Sequence, residues 1–231
     1  VSHSPGGFGG GIYNFKLMTL ENVSITFNQA AYGAGIDNGW SSSGYENNLT
    51  LINVTISNNV GPARPDLDTE GAAIHNRTYG TINIYNTTIT QNSAECAGGI
   101  TNRNPHDSIY LQNTILSDNS DDFGADDCRG VINSNGHNII GNPTGSSSFP
   151  CTVRKMTASD LVHEAPRVAS LQGDLAYHPL LDTSPAIENG TMANCPATDI
   201  RGFSRPAGDT CDIGAYEADP NPPVFLPSIV K

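Results

Sequence analysis

Short alternations of apolar and polar residues recur along the first half of the chain. Val23, Ile25 and Phe27 alternate with Ser24 and Thr26, the period of two expected of a strand with one buried and one solvated face. The alternation sits inside a longer repeated element. It runs from Leu20 to Asn28, Leu51 to Asn59, Ile84 to Asn92 and Leu111 to Asn119, with Asn at its third and ninth positions, and steps by 31, 33 and 27 residues. A second element, three small residues followed by Ile-x-Asn, precedes each copy, at Gly9–Asn14, Gly33–Asn38, Gly71–Asn76 and Ala97–Asn102.

Strands about thirty residues apart, with no helical pattern between them, cannot pair as hairpins. They stack in parallel on their own counterparts, so the fold class predicted is all-β, a parallel β-helix or solenoid. Asn22, Asn53, Asn86 and Asn113 leave the strands at bends, where Asn tolerates left-handed backbone. They are the predicted side-chain ladder between coils about 4.8 Å apart. The loops Asn38–Asn48 and Val60–Glu70 absorb the uneven spacing and project outward. A further coil is expected near Val131–Asn142, after which the repeat stops. Residues 1–151 are therefore read as coils, 152–218 as an irregular cap over the open end, and 219–231 as a Pro-rich linker with an apolar tail strand.

Composition agrees with frequent turning: 24 Gly and 24 Asn occupy 48 of 231 positions, and both are poor in helix interiors. The net charge of −12, without a basic stripe, argues against nucleic acid and anionic membrane surfaces as partners. No apolar run is long enough for a transmembrane segment. The chain begins at Val1 rather than Met, which suggests processing or truncation.

The Gly-Gly-Gly-Ile-Tyr-Asn and Asn-Val-Thr-Ile elements resemble the repeats of polymorphic outer-membrane-type β-helix proteins. The run from Cys195 to Glu217, with Asp199, Arg201, Arg205, Pro206, Gly208, Asp212 and Gly214, resembles the terminal motif of bacterial choice-of-anchor Q domain proteins. Ser184–Gly190 and Asp127–Asn138 are similar to the same group, which normally has Asp at the position of Glu188. The resemblance covers residues 9–217. It implies a right-handed parallel β-helix, secreted or displayed on a bacterial surface. The amino-terminal segment that usually begins such domains is absent.

Cys195 and Cys211 flank the terminal motif, and Cys128 and Cys151 bracket the last coil. Two bridges between these pairs are expected, each contributing roughly 3 kcal/mol through loop closure, in an oxidising, extracellular compartment. Cys96 is read as a buried thiol beside a small-residue corner.

Enzymatic chemistry on this scaffold would need paired carboxylates on adjacent coils, or a Ca²⁺ carboxylate cluster beside a basic residue. The sequence offers little of either, since the cations before residue 120 are Lys16, Arg64, Arg77 and Arg103. Asp118, Asp121, Asp122, Asp126 and Asp127 are the one candidate Ca²⁺ cluster, and a solvated loop is the preferred reading because no ligand spacing matches a Ca²⁺ loop. The six histidines, His3, His75, His106, His137, His163 and His178, show no metal spacing and are assigned no role. Asp199, Arg201, Arg205, Asp212 and Glu217 are assigned to a structural network of the cap. The pairs Ser24/Thr26, Thr55/Ser57 and Thr88/Thr90 line up as outward hydroxyls, read as an ordinary solvent face that Ile115 interrupts. Among the glycosylation sequons, Asn48 and Asn189 are the accessible candidates.

The tail carries Val224, Phe225, Leu226, Ile229 and Val230 beyond a Pro hinge, a composition suited to strand addition on a neighbouring subunit. The sequence reading is a non-catalytic structural or adhesive surface protein without cofactor or metal, self-associating into a filament or binding cell-surface and matrix components. The alternative is a polysaccharide-active enzyme or glycan-binding module.

Overall fold

The computed structural model describes residues 3–39, 47–63, 69–104, 108–122, 127–146 and 150–219. Among them are eighteen strands and no helix, and the strand pairings are parallel throughout. The tail residues Val224, Phe225, Leu226, Ile229 and Val230 lie outside the described residues, as do Arg64, His106 and Asp126.

Each circuit of the chain contributes one strand to each of three stacks. The first stack orders Ile12–Asn14, Ile36–Asn38, Ile74–Asn76 and Ile100–Asn102; the second orders Met18–Glu21, Leu49–Ile52, Ile82–Tyr85 and Ile109–Gln112. The third begins at Ser24–Thr26 and continues through Thr55–Ser57, Thr88–Thr90, Ile115–Leu116 and Ile139–Ile140 to Leu161–Val162. The strand Cys128–Ser134 pairs at its start with Ile100 and Thr101 and at its end with Tyr110 and Leu111, joining the first two stacks. Regular pairing extends past the expected boundary at 151, because Cys151–Arg154 pairs with Gly130–Asn133 and Leu161–Val162 with Ile139–Ile140.

In-register stacking places like on like. Ile36, Ile74 and Ile100 form one column, Leu51, Ile84 and Leu111 a second, and Ile56, Ile89 and Leu116 a third. All nine are fully buried in one core. Fully burying one such side chain is worth about 1.5–3 kcal/mol, so these columns dominate the stability of the stacked part.

Corners between strands use left-handed residues, also in columns. Asn22, Asn53, Asn86 and Asn113 have φ of 54°, 52°, 45° and 50°, as their turn preference leads one to expect. Gly9, Gly33 and Gly71 open the small-residue motif with φ of 64°, 56° and 55°, and Ala97 takes 57° at the fourth copy. At Gly33 a Cβ would approach the Ile36 carbonyl oxygen too closely to fit, which explains the glycine there.

The asparagine ladders run along other columns than the one expected. Asn28 donates through Nδ2 to Asn59 Oδ1 (3.0 Å), Asn59 to Asn92 (2.9 Å), Asn92 to Asn119 (2.9 Å) and Asn119 to Asp127 Oδ1 (2.8 Å). A second ladder joins Asn14 to Asn38 (2.7 Å), Asn38 to Asn76 (2.9 Å) and Asn76 to Asn102 (3.0 Å). Both consist of the terminal Asn of a repeated element, turned inward and buried. Of the expected set Asn22, Asn53, Asn86 and Asn113, Asn53 donates to Asn22 (3.0 Å), but Asn86 and Asn113 turn to the carboxy-terminal segment instead. Asn113 receives the Thr191 N–H and donates to its carbonyl, both at 2.8 Å. Asn86, in the orientation its neighbours require, donates to Asn194 O (3.2 Å) and accepts from Arg205 Nη1 (2.7 Å).

The carboxy-terminal segment therefore lies along the flank of the stacks rather than across their end. Ser24 donates to Leu175 O, and the Ser57 hydroxyl lies 2.8 Å from His178 Nε2. Further up the stack, Ala215 N donates to Thr88 Oγ1 (3.0 Å) and Gly214 N to Asn113 O (2.8 Å). The outward face of the third stack, expected in solvent, is covered: Thr55, Ser57, Thr88 and Thr90 are all buried. Ile115 does not interrupt a wet array but joins Ile139, Leu180, Ala186 and Ile213 in a second core beneath the segment.

Disulfides link Cys128 to Cys151 and Cys195 to Cys211, with Cα atoms 5.5 and 6.4 Å apart. Cys96 is buried and stands outside both. Within the carboxy-terminal segment Asp199 accepts from the N–H groups of Arg201 (2.8 Å) and Phe203 (3.1 Å), and Arg201 Nη2 donates to Glu217 O (2.6 Å). Asp212 accepts from the N–H groups of Glu188 and Ala218, and Glu217 from those of Ala207 and Asp212. Arg205 is buried and donates to the carbonyls of Gly214 (2.7 Å) and Tyr216 (2.9 Å) and to Asn53 Oδ1 (3.2 Å). Its Nε lies 3.0 Å from Glu217 Oε2, off the N–H direction, which makes that contact an ion pair rather than a hydrogen bond.

Candidate functional site

The x position of the Ile-x-Asn motif points outward from the first stack, and register brings Tyr13, Asp37, His75, Thr101 and Arg129 into one file. Neighbouring strands lie about 4.8 Å apart, so side chains far apart in sequence become contacts. His75 Nδ1 lies 2.8 Å from Asp37 Oδ1. Arg77, just past the strand, holds the same carboxylate through Nη2 to Oδ2 (2.8 Å) and Nε to Oδ1 (3.3 Å).

Glu70 enters from the strip beside the file, where Tyr32, Glu70 and Cys96 pair in succession. Arg103 grips it with Nε on Oε2 (2.7 Å) and Nη2 on Oε1, while Arg129 Nη1 reaches Oε1 at 2.7 Å. His75 Nε2 is 3.7 Å from Glu70, so the imidazole sits between the two carboxylates. Asp37, Glu70 and His75 are buried, whereas Arg103 keeps 48% of its side chain exposed. Every carboxylate oxygen receives at least one charged donor, the condition under which a buried charge is tolerated.

Aromatic rings line the open side. Phe8 stacks on Tyr32 with centroids 4.9 Å apart, Arg77 lies over Phe8 at 4.0 Å, and Tyr32 tilts against His75 at 5.2 Å. Phe8, Tyr32, His75, Arg77 and Arg103 bound a cleft of about 410 Å³. Burial opposes the charge on Arg77, but hydrogen bonding and attraction to Asp37 outweigh it and hold its pKa above the ordinary guanidinium value. The Glu70 hydrogen bond raises Arg103 in the same way, against the opposing effect of burial. Among the described residues, three guanidinium groups face two carboxylates here, in a chain whose net charge is −12. Chemically the cleft presents cationic edges and aromatic faces outward, and its anionic oxygens are already engaged.

The paired carboxylates judged missing from the sequence are thus present, as Asp37 and Glu70, and His75 has a place between them. Their signal was the repeat itself, since aligning its copies puts Asp37 and His75 at the same outward position. Glu70 and Arg129 carry no such marker, because Glu70 lies just outside the small-residue motif and Arg129 stands on a strand, Cys128–Ser134, whose sequence lacks that motif.

Of the candidate Ca²⁺ residues, for which a solvated loop is the preferred reading, Asp126 lies outside the described residues and the other four do not converge as a metal site. Asp127 ends the first asparagine ladder, with its other oxygen accepting from Asn142 N (2.8 Å), and Asp121 accepts from Ala97 N (2.9 Å). Asp118 and Asp122 are exposed, and among the described residues no three acidic, His or Cys side chains converge as a metal site. Asn189 is exposed, but its amide nitrogen donates to Pro185 O and Ile187 O. Asn48 is half-buried and accepts from Thr81 N (2.7 Å). Comparison with known proteins finds no matching family model, curated protein or solved structure.

Proposed function

We propose that the chain is a right-handed parallel β-helix acting as an extracellular, non-catalytic adhesive module, with the cleft on the first stack as its binding surface. The handedness follows the general rule for parallel crossover connections. Two disulfides support an oxidising compartment, and among the described residues no helix is long and apolar enough to cross a membrane.

The observation that carries the adhesive reading is the mutual neutralisation inside the cleft. Asp37 is held by His75 and Arg77, and Glu70 by Arg103 and Arg129. Their oxygens are therefore engaged in bonds that a substrate's proton would have to displace, while guanidinium edges and rings remain outward for binding. The placement of Asp37 and Glu70 on adjacent circuits, flanking His75, favours a second reading as a polysaccharide-active enzyme. The two separate on one experiment: prolonged incubation with acidic and neutral polysaccharides, followed by size analysis. Retention on a polymer of unchanged length is expected, and progressive shortening would overturn the adhesive reading in favour of the enzymatic one.

A further inference from the structure

We infer that the cleft on the first stack is a recognition site for a carboxylate-bearing sugar, with Arg77 and Arg103 as the anion-binding pair and Phe8 as the platform for the sugar ring. The inference rests on the adhesive reading and names its ligand. Arg77 and Arg103 occupy the same repeat position, each directly after a ladder asparagine, and their backbone N–H groups bond to the preceding circuits in the same way. Their backbones therefore lie one strand spacing apart, about 4.8 Å, and their side chains reach two different carboxylates on either side of His75.

Each is oriented by a buried carboxylate behind it: Asp37 bonds Nε and Nη2 of Arg77, and Glu70 bonds Nε and Nη2 of Arg103. Fixing one edge of a planar guanidinium leaves the Nη1 side directed away from that partner; at Arg103 this side is pre-organised for a planar, bidentate anion, while the Arg77 side chain also hydrogen-bonds Tyr13. Lysine would not supply such a fork. Because the orientation is built into the fold, binding forfeits little side-chain freedom.

The second half of the argument is apolar. Phe8 is exposed, with Tyr32 stacked on it and the Arg77 guanidinium lying over its ring, so the apolar surface it offers the cleft is what those two leave uncovered. A cation with an aromatic face next to it suits a ligand that is anionic at one point and apolar on one face. A uronic acid combines both, with a planar carboxylate on a ring whose C–H face can lie on an aromatic surface. The chain's net charge of −12 disfavours polyanions that spread beyond the cleft, which selects an isolated carboxylate over a densely charged chain.

The test is calorimetric titration of the full chain with a glucuronate oligosaccharide, its methyl ester and a sulfated oligosaccharide of equal length. The uronate should bind with an affinity that falls with salt, and esterification should weaken it about tenfold or more, the scale of one charged hydrogen bond. Phe8→Ala, at an exposed position, and Arg103→Gln, which leaves Glu70 its Arg129 partner on Oε1, should each weaken binding severalfold with the fold retained and the melting point lowered by no more than about 2–4 °C. Equal binding of the ester or the sulfated chain, full affinity in both variants, or no binding of the uronate would overturn the assignment. Cleavage of the uronate during titration would overturn the non-catalytic reading, while ester discrimination in the same samples would leave the ligand assignment standing.

Discussion

The outward files of the first and third stacks start from the same geometry and meet opposite fates. Both project from in-register parallel strands. The first carries Tyr13, Asp37, His75, Thr101 and Arg129 and borders an open cleft. The third begins with Ser24, Thr55 and Thr88, passes to Ile115, Ile139 and Leu161, and is covered by the carboxy-terminal segment. Covering a file of charges would strip them of water at a cost of several kcal/mol per ion. Small hydroxyls that give way to isoleucines impose no such cost. They also let backbone approach closely: at Gly214, with φ of 103°, a Cβ would stand 2.8 Å from Thr88 Oγ1. Side-chain chemistry on equivalent rungs thus decides which face binds its own chain and which stays available to a ligand.

The largest test of that contrast compares two arginines. Arg205 is buried beneath the segment beside Glu217, and it ties the segment to Asn53. Burial lowers its pKa, against the raising effects of Glu217, Asp199 and Asp212. Arg205→Met leaves the buried Glu217 without its cation, so urea unfolding should show a loss of about 3–5 kcal/mol, with residues 163–219 opened to protease. Arg103→Gln in the cleft, half-exposed and backed by Arg129, should cost about 1 kcal/mol or less. Similar losses in the two variants would mean that the covered and open faces do not differ as described.

The same contrast explains what the sequence made legible. The strands and the left-handed asparagine column follow from a period that local residues enforce. The choice of ladder does not, because Asn22 and Asn28 are equally asparagine. What separates them is the direction each side chain takes: Asn28 turns inward onto Asn59, whereas the column begun by Asn22 faces a segment that joins the fold more than a hundred residues later. Residues 163–219 have no period, so their path could be read only from what they touch. The hydroxyl pairs gave a correct strand face and an incorrect environment for the same reason. Asp37 and His75 were within reach of a repeat alignment, while Glu70 and Arg129 were not.

Acid should separate the two faces next. His178 is buried, with Nδ1 2.8 Å from Ala169 O and Nε2 2.8 Å from Ser57 Oγ. Desolvation lowers its pKa below 6.5, although the Ala169 bond works the other way. A histidine depressed in the folded state stabilises fully above the unfolded value, and that stability drains away as pH falls below 6.5 toward the folded pKa. Asp212 and Glu217 oppose this at lower pH. Desolvation raises both above 3.8 and 4.5, against their backbone hydrogen bonds, so the folded state takes up their protons first and gains stability on acidification. Loosening should therefore be steepest just below pH 6.5. Hydrogen exchange of residues 163–219, corrected for the intrinsic pH dependence of amide exchange, measures it: lower protection at mildly acidic pH is expected in the native chain, and His178→Gln should flatten the dependence. An unchanged pH profile in that variant would assign the effect to another group.

The smallest effect bears on how dry the covered face is. Thr55 and Thr90 are fully buried there, and neither hydroxyl has a hydrogen-bond partner among the described residues. An unsatisfied buried hydroxyl lowers stability by its desolvation cost, so exchanging it for a methyl group of similar size recovers part of that cost. Thr90→Val should raise the unfolding free energy by about 1 kcal/mol, seen as a higher urea midpoint at constant slope. The sign decides the matter. A gain means that the third stack and the carboxy-terminal segment meet as a core, and their hydroxyls survive from a β-rich repeat rather than from a need for hydrogen bonds. A loss of similar size would mean that the hydroxyl is hydrated, and that the contrast between a covered face and an open one is a difference of degree.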